Sequence, residues 1–179
     1  MTKKQIKAIE NILTRESAKR IDGTPSEIHP SLENYYISDG CVTVMFRQKP
    51  EGFPEGIQYD DLDRIFSENM ESGNYVYSLT ATTELVKEWK TQSKLWKKGL
   101  TTASGAVPVE ITAHCEDGAI VTGRYDPRLL IDAVESIGTN SMIYIGKFRA
   151  LNCNALLVYP KDWVDTGNSD MIALVLPIQ

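Results

Sequence analysis

TTELVKEWKTQSKLWKK, residues 82–98, carries two messages on one predicted helix. Leu85, Val86, Trp89 and Trp96 recur at three, four and seven residues, the spacing of a buried helical stripe. Lys87, Lys90, Lys94 and Lys98 recur with the same period on another side, with Lys97 beside them. Thr82 or Thr83 can cap the start and Gly99 can end the helix. A helix that buries tryptophan and shows a lysine row suits a polyanion. A solvated surface is the commoner reason for such a row, so the rest of the chain has to decide.

Residues 3–20 repeat the pattern. Ile6, Ile9, Ile12 and Leu13 form an apolar stripe, while Lys4, Lys7, Asn11, Arg15 and Lys19 fall on another face. The whole chain of 179 residues has a net charge of −5. Of its 19 basic and 24 acidic residues, eleven of the former and only four of the latter lie in residues 1–20 and 82–98. If the two helices share a face, the molecule is polarised. It could then bind a polyanion on one surface while repelling it elsewhere.

Outward from these helices the elements follow in order. Residues 22–33, with Gly23, Pro25 and Pro30, form a connector. Residues 34–48 read as a hairpin around Asp39-Gly40, a type I′ turn signal. Residues 49–56 are a loop. Residues 58–71 form an acidic helix with Leu62, Ile65, Phe66 and Met70 apolar, ended by 71–74. Residues 75–79 form a strand that feeds the central helix, and 100–106 form a small-residue loop. Strands 107–115 and 119–125 pair around Glu116-Asp117-Gly118. Pro127 opens a helix to Ile137 behind Asp126 as N-cap, with Leu129, Leu130, Ala133, Val134 and Ile137 inward. Residues 141–146, 154–159 and 171–178 are strands, the last apolar enough to be central or covered on both faces. A polar loop, 161–170, joins the final two. The class is α+β, with helices on one face of antiparallel sheets.

The signals for chemistry are poor. Cys41, Cys115 and Cys153 are far apart and form neither a disulfide framework nor a zinc site. His29 and His114 are distant from each other, and His114 and Cys115 should point to opposite faces of a strand. Asp60-Asp61-x-Asp63 lacks the glycine and closing glutamate of a calcium loop, and suits a helix start. Asp162 and Asp165 sit in a loop without evident partners. There is no Gly-rich phosphate loop and no Gly-x-Ser-x-Gly. No catalytic residue, metal or cofactor is therefore expected. An enzyme would need a pocket that joins His29 or His114 to acids distant in sequence. No apolar run reaches membrane-spanning length, and Met1-Thr-Lys-Lys lacks a signal-peptide core, so a cytoplasmic protein is expected. Aromatic and basic residues do not interleave as on a single-strand platform. The lysines should instead meet duplex phosphates, independent of sequence and sensitive to salt.

Element order from Tyr75 onward is strand, helix, two strands, helix, three strands. Within it, Tyr125-Asp-Pro-Arg-Leu-Leu-Ile-Asp-Ala-Val-Glu-Ser-Ile137 resembles the phrase before the final strands of bacterial DNA polymerase III beta subunits, the sliding clamps. Residues 142–146, 155–159 and 173–178 continue in that family's order, and Leu176-Pro177-Ile178 is similar to its C-terminal pattern. The resemblance covers residues 73–179, as one complete clamp-like domain, and makes 1–72 a shortened one. It implies a non-enzymatic processivity-type protein of DNA replication, whose helices turn Lys4, Lys7, Arg15, Lys19, Lys87, Lys90, Lys94 and Lys98 toward duplex DNA. It implies a homo-oligomer, and a pocket at Leu176, Pro177 and Ile178 for peptides of a DNA polymerase or other clamp-binding protein. Two departures stand out. Arg128 is the only basic residue of the third clamp-like helix, and the family has three full domains. The alternative is an interaction adaptor that keeps the fold without binding DNA.

Overall fold

A computed structural model describes residues 1–15, 27–70, 75–97, 108–148, 152–162 and 170–178. Its elements are α1 (Lys3–Leu13), β1 (His29–Pro30), β2 (Tyr35–Ser38), β3 (Val42–Phe46), α2 (Asp61–Met70) and β4 (Tyr75–Ala81). There follow α3 (Thr83–Lys97), β5 (Val109–His114), β6 (Ile120–Tyr125), α4 (Pro127–Ile137), β7 (Ser141–Phe148), β8 (Cys153–Tyr159) and β9 (Met171–Val175). Seven strands form one sheet in the order β1-β2-β3-β9-β8-β7-β4, and β5 and β6 form a separate hairpin. Every pairing between these strands is antiparallel. The α+β class with antiparallel sheets is as expected.

The apolar strand β9 lies in the middle, paired with β3 on one side and β8 on the other. Its side chains alternate between two cores, as strand geometry demands. Ala173 and Val175 join Val42, Val44, Phe46, Ile143, Ile145, Leu156 and Val158 under the helices α1, α3 and α4. Ile172 and Leu174 join Met45, Leu157, Tyr159 and Phe66 of α2 on the opposite face. Each fully buried aliphatic side chain contributes about 1.5–3 kcal/mol relative to exposure. Covering both faces is what the unbroken apolar run of β9 required.

In the helical layer α4 lies between α1 and α3 and packs on both, as well as on β9. Nine residues of α4 are consequently buried, including Asp132 and Ser136 beside the five expected apolar positions. Trp89 is buried in this layer, as its spacing implied. The side chain of Trp96 lies outside the described residues.

Strand β1 lies within the expected connector, β4 and β7 run two residues past their expected ends, and the structure departs from expectation in four further places. Helix α1 ends at Leu13 rather than running to residue 20: the Thr14 hydroxyl donates to the Glu10 carbonyl at 2.7 Å, and Thr14 leaves the helical conformation. Ile6 is 38% exposed, and Ala8 takes its place in the buried stripe. The β2–β3 turn is not type I′. Asp39 and Val42 close it around Gly40 and Cys41, and of these two only Gly40 has positive φ, at 84°. The Asp39 carboxylate accepts the amides of both Cys41 and Val42, which fixes that register. Finally, β9 stops at Val175. The expected features in residues 16–26, 71–74, 98–107 and 163–169 lie outside the described residues, including the Gly99 cap and Asp165.

Candidate nucleic-acid interface

The candidate site is built from the ends of three adjacent helices. Thr2 caps α1 in a capping box: its hydroxyl accepts from Gln5 N at 3.2 Å, and its own amide donates to Gln5 Oε1 at 2.8 Å. The other end of the Gln5 amide group, Nε2, donates to the carbonyls of Ser136 and Ile137, both at 3.2 Å. One side chain therefore starts α1 and satisfies the last turn of α4. Thr82 caps α3 through its hydroxyl, which accepts from Leu85 N at 3.3 Å. Asp126 caps α4, accepting Arg128 N at 2.8 Å, and the Arg128 guanidinium folds back on the same carboxylate.

The two basic rows meet here. Lys4 of α1 and Lys87 and Lys90 of α3 line one cavity of about 260 Å³, floored by Val86 and Val134 and bordered by Glu135 of α4. Further along the same layer a second cavity of about 370 Å³ runs between Asn11, Thr14 and Arg15 of the α1 end, Ser93 of α3, and Arg128, Ile131 and Asp132 of α4. Lys4, Lys87 and Lys90 thus line the first cavity and Arg15 the second, while Lys7 and Lys94 line neither.

The basic residues differ in what holds them. Lys4, Lys87 and Lys94 are exposed. Lys7 is exposed and pairs with Glu10 at 3.3 Å, a contact that water largely screens. Lys90 reaches across to Glu135 at 2.5 Å. Arg15 is mostly buried, and its guanidinium bridges the carboxylates of Asp39 and Asp132. Burial pushes the Asp132 carboxyl up from its ordinary range, against the lowering effect of the Asn11 hydrogen bond and the Arg15 charge. Lys19 and Lys98 lie outside the described residues.

The segment at Leu176, Pro177 and Ile178 is half-buried and tethered at both ends. Leu176 N donates to the Cys41 carbonyl at 2.8 Å, and Ile178 N donates to the Arg124 carbonyl at 2.9 Å. His114 is exposed on β5, and His29 Nδ1 lies 3.1 Å from the Ile57 carbonyl. Among the described residues no cluster of three His, Cys, Asp or Glu side chains could hold a metal ion. All three cysteines are free thiols. No described helix is long and apolar enough to cross a membrane.

Sequence reasoning missed Gln5, Glu135 and the pair Asp39 and Asp132. The Thr2-x-x-Gln5 spacing is a legible capping box. The bond between Lys90 and Glu135, 45 residues apart, has no local signature.

The chain is similar to solved bacterial DNA polymerase III beta subunits. One is the beta chain of Streptococcus pneumoniae TIGR4, at 16% identity and a TM-score of 0.43 over 82% of this chain and 41% of that one. Another is the Helicobacter pylori beta clamp bound to a DNA ligase peptide, at 16% identity and a TM-score of 0.37 over 82% of this chain and 40% of that one. The beta subunit of Thermotoga maritima aligns at 12% identity and a TM-score of 0.36, with 82% and 41% covered. The chain spans about two-fifths of the length of these structures. No protein-family model matches the chain, and no curated protein matches it in sequence.

Proposed function

We propose that this chain is a sliding-clamp-like, non-enzymatic protein of the cytoplasm that holds duplex DNA without reading its sequence. The observation that carries the proposal is the meeting of Lys4 with Lys87 and Lys90 around one cavity. It supports a single basic face drawn from two helices, in a chain whose remaining charge is strongly acidic. In this reading Lys4, Lys7, Lys87 and Lys94 contact phosphates directly, joined by Lys19 and Lys98. Arg15 and Lys90 hold the helical layer together through Asp132 and Glu135 and contribute less. Residues 1–72 act as a shortened clamp unit and 73–179 as a full one. Copies of the chain associate to surround the duplex, and the segment at Leu176, Pro177 and Ile178 receives a peptide from a polymerase or similar partner.

A second reading has one observation in its favour. Helix α4 places two acids in the middle of the basic layer, the buried Asp132 and the partly exposed Glu135, and these engage Arg15 and Lys90. That suits an adaptor that binds clamp partners and not DNA. Reversing Lys87 and Lys94 to Glu, both exposed, separates the readings. Fluorescence anisotropy with a labelled duplex should show binding by the parent protein and its loss in the double variant, with unchanged thermal melting. Binding that survives both reversals would remove these lysines as the contact, and binding absent from the parent would favour the adaptor.

A further inference from the structure

The cavity that joins α1 and α3 has a shape and charge that a sliding contact with a duplex does not need. It is lined by Thr2, Lys4 and Gln5 at the start of α1, by Thr83, Val86, Lys87 and Lys90 on the first turns of α3, and by the end of α4. Its charged groups are three ammoniums and one carboxylate, Glu135, leaving two positive charges in excess. Glu135 is already paired with Lys90, so the excess sits on Lys4 and Lys87, on opposite walls. The first residue of α3, Thr83, is among the lining groups, which places the positive end of that helix at the cavity. The end of α4 would oppose an anion with its carbonyls, but Gln5 Nε2 occupies those of Ser136 and Ile137. The hydroxyl side chains of Thr83 and Thr139 also line the space, and Val86 and Val134 give it an apolar floor.

We propose that this cavity binds a small phosphomonoester, with the phosphoryl group between Lys4 and Lys87 and the organic body against Val86 and Val134. A phosphomonoester carries about −1.5 to −2 charges at neutral pH and offers three acceptor oxygens. That matches the excess of two positive charges. A backbone phosphodiester carries one negative charge and would leave one lysine uncompensated. Point contacts from ammonium groups suit a phosphoryl oxygen, and the hydroxyls complete its hydrogen bonding. The proposal does not depend on duplex binding.

Isothermal titration calorimetry with ribose 5-phosphate tests it, with dimethyl phosphate as the monoanionic control. Saturable one-to-one binding of ribose 5-phosphate is expected, with little heat from dimethyl phosphate. Lys4→Ala and Lys87→Ala should each weaken binding about tenfold. Lys94→Ala, on the same helix but away from the cavity, should leave it unchanged. Equal binding of dimethyl phosphate, indifference to Lys4→Ala and Lys87→Ala, or no binding of ribose 5-phosphate by the folded parent protein would overturn the proposal. None of these results depends on whether the parent protein binds a duplex.

Discussion

Asp63 shows how one carboxylate can hold a helix to a loop. It accepts from Glu33 N at 2.9 Å, from Asn34 Nδ2 at 2.7 Å and from the Tyr36 hydroxyl at 2.8 Å. Partial burial alone would raise its pKa, but these hydrogen bonds outweigh that and hold the carboxyl below its ordinary value of 3.8. A folded-state pKa below the unfolded one stabilises the fold above the unfolded value, and that contribution fades as pH falls through the folded value. Asp63→Ala should therefore cost about 1–3 kcal/mol at neutral pH, read by urea denaturation, and the gap from the parent should narrow below about pH 4. A gap constant from pH 7 to pH 2 would contradict this account. Arg15 makes a stronger case. Its removal leaves Asp39 and Asp132, 1% and 6% exposed, without their cation. Arg15→Leu should destabilise by about 3–5 kcal/mol, and adding Asp132→Asn should restore part of the loss.

At the scale of elements, α4 was legible to the residue, because Asp126, Pro127 and the Leu-rich stripe mark both its start and its inward face. The buried face of α3 was legible at Trp89 and Val86 for the same reason. Strand β1 was not, since two residues containing a proline carry no periodicity. The end of α1 was not, because the competing bond from the Thr14 hydroxyl to Glu10 depends on a choice the sequence leaves open. Of the candidate site, the two lysine rows could be read from spacing. Their convergence could not, because it depends on α1 and α3 both packing on α4 from far along the chain. The joint between α1 and α4 is testable. Gln5→Ala removes both the capping box and the amide that meets Ser136 and Ile137, and should cost about 1–2 kcal/mol. A loss below about half a kcal/mol in chemical denaturation would show that solvent serves those groups as well.

For the whole molecule, one antiparallel sheet carries its helical layer on one face and α2 on the other. The charge is distributed on the same plan. Residues 1–20 and 82–98, which supply α1 and α3, hold eleven of the 19 basic residues, while 20 of the 24 acidic residues lie outside them. Such a molecule should approach a duplex in one orientation, by electrostatics, and release it in salt. The most direct test is the affinity of the parent protein for a labelled duplex, measured by anisotropy across a salt series with two unrelated sequences. Binding should be equal for both sequences. Log affinity should fall linearly with log salt, with a slope of about −4 to −5, as expected for four to six phosphate contacts. A protein that leaves both duplexes unbound at low salt, or that binds without salt dependence, would contradict it.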